Sequence, residues 1–347
     1  MKILITGGGG FIGSSLIKSL SANNDITCLG HGNNYEILKK TILNPVNWLE
    51  GDITDKSLIK KIMKKQEAVV HLAGVAGERL CKENLCRAVF SNVGGTHNLL
   101  QEAISQGVQH FIFSSSYWAY SFFDERPLPL KEVDELKTDS FYGALKASSE
   151  QELLSSRDRI NITILRLATV YGYGAGVGAQ WRGLIGRYIE AVHQGKPQIV
   201  YGKGTQKIDF VHIDDIIRAI STFVKNTGSG CDSIFNLGGG KAVSILDIAQ
   251  LVSCLSSEEF GRKGEIVYQP PPPGKIWPDR WLSIDRIKRI MPDYPTIGLE
   301  NGIREMMRKY IERQVAATKR SCRSGKQTKK SSQKEKLLRC NSTEKAP

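Results

Sequence analysis

Apolar residues in the first half of the chain follow two alternating rhythms. Strand-like segments at residues 2–6, 26–29, 68–72, 108–113 and 161–167 are rich in apolar and β-branched residues and have the length of buried strands. Between them, apolar positions recur at helical spacing over residues 11–22, 56–65, 84–106 and 141–156. In the first of these segments they are Phe11, Ile12, Leu16, Ile17 and Leu20. Strand and helix in alternation predict an α/β fold, a parallel sheet with helices on both faces. Such sheets bind ligands beyond the carboxyl ends of their strands, so functional residues are expected just after each strand. Past about residue 171 the pattern loosens into glycine-rich loops (YGYGAGVGAQWRG, YGKGTQK) and an extended PPPPG run at 270–274. Helical patterns resume at 184–193, 214–224, 244–255 and 299–313, as expected of a smaller lobe over the mouth of the sheet.

The first strand and helix are joined by four consecutive glycines, Gly7 to Gly10, with Gly7, Gly10 and Gly13 spaced G-x-x-G-x-x-G. A strand-to-helix turn of this kind bends tightly and lets a pyrophosphate approach the backbone. The N–H groups and positive end of the helix then hold the phosphates. The turn therefore marks a dinucleotide site.

At 347 residues and 40% hydrophobic content the chain can build a substantial core. No apolar run approaches the roughly 20 residues of a membrane span. Seven cysteines, at 28, 81, 86, 231, 254, 322 and 340, form no C-x-x-C pair. Their scatter points to reduced thiols in a cytoplasmic protein, and no metal site is expected. The net charge of +13 is concentrated in the tail. Residues 313–347 hold eleven Lys and Arg against Glu335 and Glu344, a net of +9, which leaves +4 for residues 1–312. That tail, rich in Ser, Lys and Gln, is expected to be disordered and solvated. The rest of the chain carries no mark of a nucleic-acid partner.

After the strand ending at Phe113 comes SSSYWAY, and 26 residues beyond Ser116 comes Tyr142 in FYGALKASSE. Tyr142 and Lys146 are four apart on a helix and share a face. A lysine charge beside a phenol lowers its pKa from about 10, so the tyrosine can exchange a proton with a substrate hydroxyl. Hydride passes to or from a nicotinamide in the same reaction. A serine hydroxyl from the neighbouring strand end, Ser116, would orient the same oxygen.

From residue 1 to about 310 the sequence resembles the extended short-chain dehydrogenases/reductases, in their nucleotide-sugar epimerase and dehydratase branch. The motifs are TGGGGFIG, GDITD at 51–55, HLAG at 71–74, NVGGTHNLL at 92–100, SSS at 114–116 and YGALK at 142–146. LRLATVYG at 165–172, DFVHIDD at 209–215 and FNLGGG at 235–240 continue the series. The resemblance implies a Rossmann-type doubly wound sheet over residues 1–170, to which later segments return. It also implies a substrate lobe over 171–312 and a homodimer. Ser116, Tyr142 and Lys146 would be the catalytic triad. Gly7, Gly10, Phe11, Ile12 and Gly13 would hold the dinucleotide, with Asp52 and Ile53 flanking its adenine. Leu72, Ala73, Gly74, Asn92 and Ser114 would line its phosphates and ribose, and Leu167 and Ala168 its nicotinamide.

Departures from the family pattern narrow the chemistry. Dehydratases of the family carry an acidic pair directly after the catalytic serine or threonine, where this chain has Tyr117 and Trp118. Elimination and decarboxylation are therefore not expected. Epimerisation through a transient ketone remains, with an NADPH-dependent reductase as the alternative and a cofactor-sensing regulator as a third reading. Gly30 stands where an acidic residue would select NAD. NAD and NADP are both admissible, and His31, Asn33 or Asn34 as donors tip the balance slightly to NADP. Ile208 and Pro272 replace the arginines that usually hold a nucleotide-sugar pyrophosphate, and Thr169 replaces an asparagine. Lys207, Lys275 or Arg280 would have to substitute, beside Ser116, Tyr117 and Thr169 at the sugar. Simple nucleoside diphosphates are accordingly expected to bind weakly.

Overall fold

The computed structural model describes residues 1–31, 34–120, 127–174, 183–226, 234–274 and 278–315, with the side chains of Asn34 and Ile37 excepted. Residues 175–182, Asn33, Lys275 and the residues beyond 315 lie outside the described residues. The strands are β1 (Lys2–Thr6), β2 (Asp25–Gly30), β3 (Asn47–Glu50), β4 (Ala68–His71), β5 (His110–Ser116) and β6 (Asn161–Leu167). They continue with β7 (Thr169–Tyr171), β8 (Gln198–Tyr201), β9 (Lys207–His212), β10 (Ile234–Leu237), β11 (Ala242–Ser244) and β12 (Ile266–Gln269). Seven of them form one sheet in the order β3-β2-β1-β4-β5-β6-β10. Every pairing in it is parallel. The five strands expected from the sequence are its centre. β3 (NWLE) and β10 (IFNL) extend it at either side, too short and mixed to be read from a period.

Strand residues alternate between two cores. Ile3 and Ile5 face the helices Phe11–Leu20 and Ile213–Lys225, whose Leu16, Ile17, Ile216 and Ile220 are buried with them. Leu4, Val69 and Phe111 face the helices Lys56–Met63 and Thr96–Ser105 on the other side. The helix Ile213–Lys225 thus returns from the second half to cover the sheet. The smaller lobe has its own sheet, β11-β9-β7, and the pair β12-β8. Its core joins Ile189, Val252, Ile303 and Met307.

The helical pattern at 84–106 is not one helix. It divides into Leu85–Val89, a π-turn Phe90–Gly95 and Thr96–Ser105, preceded by the short helix Glu78–Glu83. His71, at the end of β4, is fully buried. Its Nδ1 meets Thr6 Oγ1 at 2.8 Å and its Nε2 meets Thr96 Oγ1 at 2.9 Å, tying two strands to a helix. Burial, helped by the charge of Lys146, pushes His71 down to about 3, so this side chain is neutral at physiological pH.

A buried ion pair fixes the helix Phe141–Ser155 against the sheet. Arg166 on β6 donates from Nη2 to Glu150 Oε2 at 2.7 Å and from Nε to the same oxygen at 3.0 Å. Its Nη1 donates to Tyr120 Oη at 2.7 Å, and Tyr120 donates in turn to Asn236 on β10 at 2.8 Å. Ser115 on β5 donates to Glu150 as well. Strand β6, the helix, Tyr120 and β5 therefore meet on one guanidinium and one carboxylate, and β10 joins them through Tyr120.

Among the described residues no helix is long and apolar enough to cross a membrane. Cys28, Cys81, Cys86 and Cys254 are free thiols.

Removing one partner of a buried pair strands the other without water. Arg166→Met should destabilise the fold by about 3–5 kcal/mol, while Arg166→Met with Glu150→Met regains much of the loss. Urea unfolding followed by circular dichroism measures both. Equal losses in the two proteins would show that the pair itself is not what holds the helix.

Candidate active site

The glycine run folds as the sequence predicts. Gly7 has φ +74°, a conformation open to glycine, and its N–H bonds Leu29 O at 2.9 Å. A Cβ on Gly7 would lie 2.8 Å from Ala73 N, and one on Gly13 would overlap the Gly7 carbonyl oxygen. The turn is therefore compressed against the end of β4, and the helix Phe11–Leu20 starts directly on it. That helix has no side-chain cap and no acidic residue in its first turn. Its N–H groups are available to an anion.

This helix end opens into a cavity of about 650 Å³. Gly7, Gly10, Phe11, Ile12, Gly13, Leu72, Ala73, Gly74 and Ser114 line its centre, and Gly30, His31, Asp52 and Ile53 line the β2–β3 side. Thr169 lines it from the smaller lobe. All of these were sequence expectations. The cradle fits a dinucleotide: glycines where backbone must approach, an open helix end, and a carboxylate at the far side. The Asp52 carboxylate accepts from Thr54 N and Oγ1, both at 2.9 Å. Burial raises its pKa, but the Thr54 bonds, His31 and Arg87 outweigh this and hold it below the usual carboxylate range.

Other expectations take different places. Asn92 does not face the cavity; it is buried and spends its amide on Val75, with Oδ1 accepting from Val75 N at 2.7 Å and Nδ2 donating to Val75 O at 2.9 Å. It shapes the wall from behind. Leu167 and Ala168 are buried in the core behind the cavity. Asn34 stands on the short helix Asn34–Leu38 with its side chain outside the described atoms. Gly30 has a packing cause, since a Cβ there would lie 2.6 Å from the ring of Trp48. An aspartate at this position would have to displace Trp48 from its stack on Tyr35.

At the end of β5 the three proposed catalytic groups converge. Ser116 is the strand's last residue, and its hydroxyl comes near enough to the phenol of Tyr142, in the first turn of the helix Phe141–Ser155, to favour the phenolate. Lys146, one turn on, is buried and donates from Nζ to Ser114 O at 2.7 Å, over the Phe113 ring at 4.6 Å. Burial, reinforced by Cys81, raises the phenol well above its ordinary value against the opposing effect of Ser116. The expected acidification of Tyr142 by Lys146 is therefore not a property of the protein groups alone. Lys146 is itself pushed down to about 8 by burial, against the opposing charge of Glu150 and of Cys81.

Around this centre, Tyr117 Oη and Thr169 Oγ1 meet at 2.7 Å. The Arg280 guanidinium lies 4.7 Å from the Trp118 ring centroid and 5.4 Å from that of Tyr117. Arg280 also pairs with the Ile208 strand, donating its amide to Lys207 O at 3.0 Å. Lys207 is exposed and does not line the cavity. Arg87, Leu80, Leu184, Phe210 and Met306 do line it and were not anticipated. Phe210 lay within the D-F-V-H motif, but the others carry no local signal.

Lys146 carries its proton only below about pH 8. Where the ammonium contacts a dinucleotide, affinity is highest below pH 8 and falls as pH rises through it. Fluorescence titration of the apoprotein with NADH from pH 6.5 to 9.5 should show this decline, and Lys146→Met should flatten it. A wild-type affinity constant across that range would remove Lys146 from the cofactor contacts.

The NAD dependent epimerase/dehydratase family model matches residues 3–238. The UDP-glucuronate 4-epimerase of Thermodesulfobacterium geofontis is 32% identical over 322 residues, covering 87% of this chain and 93% of that one. The UDP-glucose 4-epimerase of Thermotoga maritima, solved with UDP-glucose, has a TM-score of 0.78 at 28% identity over 91% of this chain and 100% of its own. The UDP-glucuronic acid 4-epimerase of Bacillus cereus, in complex with UDP-glucuronic acid and NAD, has a TM-score of 0.75 at 27% identity over 90% of this chain and 99% of its own. Sequence, sheet order and glycine cradle agree: the chain is an enzyme of the NAD-dependent epimerase/dehydratase family.

Proposed function

We propose that this protein interconverts two epimers of a UDP-sugar through a transient ketone, using tightly held NAD. The observation that carries this reading is the convergence of Tyr142, Ser116 and Lys146 at the end of β5, whose Ser114 lines the same cavity as the glycine turn. Bound NAD would supply the hydride acceptor and donor and, when oxidised, a cationic ring that favours phenolate at Tyr142. Tyr142 takes the proton from the substrate hydroxyl and returns it after the ketone has turned its other face. Ser116 orients that oxygen. Lys146 keeps positive charge beside the phenol and holds the ribose.

The residues after Ser116 support epimerisation over elimination. Tyr117 is buried and bonded to Thr169, and Trp118 carries the Arg280 guanidinium, so neither position offers a carboxyl group. NAD is favoured over NADP because relatives of known structure hold it, and because Gly30 answers to the Trp48 ring rather than to a 2′-phosphate. The described thiols, all free, support a reducing compartment such as the cytoplasm. A homodimer is supported by Leu85, Val89 and Phe90, exposed large apolar residues on the helix Leu85–Val89 and the π-turn that follows it and packs on the catalytic helix. Sedimentation should show a dimer that Phe90→Asp converts towards monomer, and a monomeric wild type would end that expectation.

Incubation with UDP-glucose or UDP-glucuronate, without added cofactor, should yield the C4 epimer by NMR and leave no net NADH. Tyr142→Phe should keep bound NAD and lose about 10²–10⁴-fold in kcat. Near-native turnover in that variant would refute the mechanism. Calorimetry with UDP tests the nucleotide handle; absence of UDP binding to a protein that epimerises a free sugar would reassign the substrate.

A further inference from the structure

The segment leaving β4 has two sides. Val75, Ala76 and Leu80 line the cavity, while the helix Glu78–Glu83, which carries Leu80, turns its other side to the catalytic helix. There the Glu78 carboxylate reaches the N-terminus of Phe141–Ser155. Oε2 accepts the Tyr142 amide at 2.8 Å, and Oε1 accepts the Phe141 amide at 3.3 Å. Lys82 Nζ lies 2.8 Å from Oε1 and steadies the carboxylate from outside. Cys81, on the same short helix, is buried in one cluster with Tyr142 and Leu145.

Tyr142 is the second residue of its helix, in the turn whose N–H groups lack intrahelical partners and which frays first. Ser140 caps that turn only at Gly143 N, at 2.9 Å. The amides of Phe141 and Tyr142 are left for Glu78. Hydrogen bonds to an ionised acceptor are roughly twice as strong as neutral ones, and a negative charge suits the positive end of a helix. We infer that Glu78 is a positioning residue for the proposed reaction: its carboxylate clamps the backbone of Tyr142 and thereby sets where the phenol stands relative to Ser116. Because the same segment lines the cavity, one stretch of chain holds both the cofactor wall and the proton carrier in register. Burial raises the Glu78 carboxyl, yet Lys82 and the two amides outweigh it and hold it below its ordinary range, so the clamp is charged at neutral pH.

The inference rests on Tyr142 as the proton carrier, so the test separates the two. Glu78→Ala, Glu78→Gln and Ser140→Ala are compared with wild type and Tyr142→Phe, by UDP-sugar epimerisation, thermal melting and amide hydrogen exchange over residues 139–145. Glu78→Ala should lose roughly ten- to hundredfold in kcat, the cost of a misplaced reacting group. Its KM should stay within about twofold, since ground-state binding is untouched, and exchange at 141 and 142 should accelerate. Glu78→Gln keeps an acceptor oxygen and should recover most of kcat. Ser140→Ala should lower the melting temperature comparably while keeping kcat within about twofold, because it uncaps the helix without releasing Tyr142. Wild-type kcat in Glu78→Ala, equal turnover losses in Glu78→Ala and Ser140→Ala, or a Gln variant no better than Ala would each overturn the inference. Full turnover in Tyr142→Phe would overturn it together with the proposed mechanism. Should wild-type protein epimerise no UDP-sugar, the proposed function falls, and exchange at 141 and 142 still decides whether Glu78 clamps the helix.

Discussion

Glu150 brings a negative charge into the protein interior, with no exposed side-chain surface, and Arg166 is the cation that neutralises it. Removed from water, the two must meet in good geometry with every remaining donor satisfied. That demand fixes β6 against the catalytic helix and draws in Ser115 of β5, Tyr120 and Asn236 of β10. Lys146 lies one helical turn before Glu150 and Tyr142 one turn earlier still. Placing Glu150 therefore places both, and Ser116 follows Ser115 to the strand end where they meet. The pair contributes orientation more than stability, since an apolar replacement of equal volume could match its energy.

The same absence of water governs the chemistry. Burial pushes the phenol of Tyr142 up and the ammonium of Lys146 down to about 8, so the phenolate needs a partner before it is populated, while the ammonium persists at neutral pH. Glu150 opposes the fall at Lys146 through its own charge. The structural ion pair is thus also part of the electrostatic setting of the proton carrier. A site built this way keeps its phenol neutral until further positive charge arrives beside it.

What could be read from the sequence was local. The glycine turn was legible because Gly7, Gly10 and Gly13 join an apolar strand to an apolar helix at fixed spacing, and the central strands were legible because both their faces are buried. The pairing of Tyr142 with Lys146 follows from helical period alone. The strands β3 and β7 escaped because they are only four and three residues long and lack a clear apolar pattern. The contact of Glu78 with Tyr142 escaped because it spans 64 residues and depends on how two helices dock. The packing cause of Gly30 escaped for a related reason: its partner, Trp48, sits on the strand that the pattern did not reveal. The displaced ionisation of Lys146 arises from burial, which no spacing encodes. Asn92 was found by its motif, yet its amide turned out to serve a loop.

The π-turn Phe90–Gly95 explains why Asn92 can do this. An added residue within a helical turn widens it and leaves carbonyls free of the regular ladder. The Asn92 carbonyl accepts from Ser149 Oγ at 3.0 Å and from Thr96 Oγ1 at 2.6 Å, while its side chain reaches back to Val75. Length at this point is therefore a constraint in its own right, beside the identities of Asn92 and Gly95. Many substitutions between Phe90 and Gly95 would leave the count intact, whereas deletion of one residue would close the turn into plain α-helix and rotate every following side chain by about 100°. Across descendants of this chain, such a stretch should admit no gap, and its letters should drift except at Asn92, which bonds Val75, and Gly95, where a Cβ would meet Ile53.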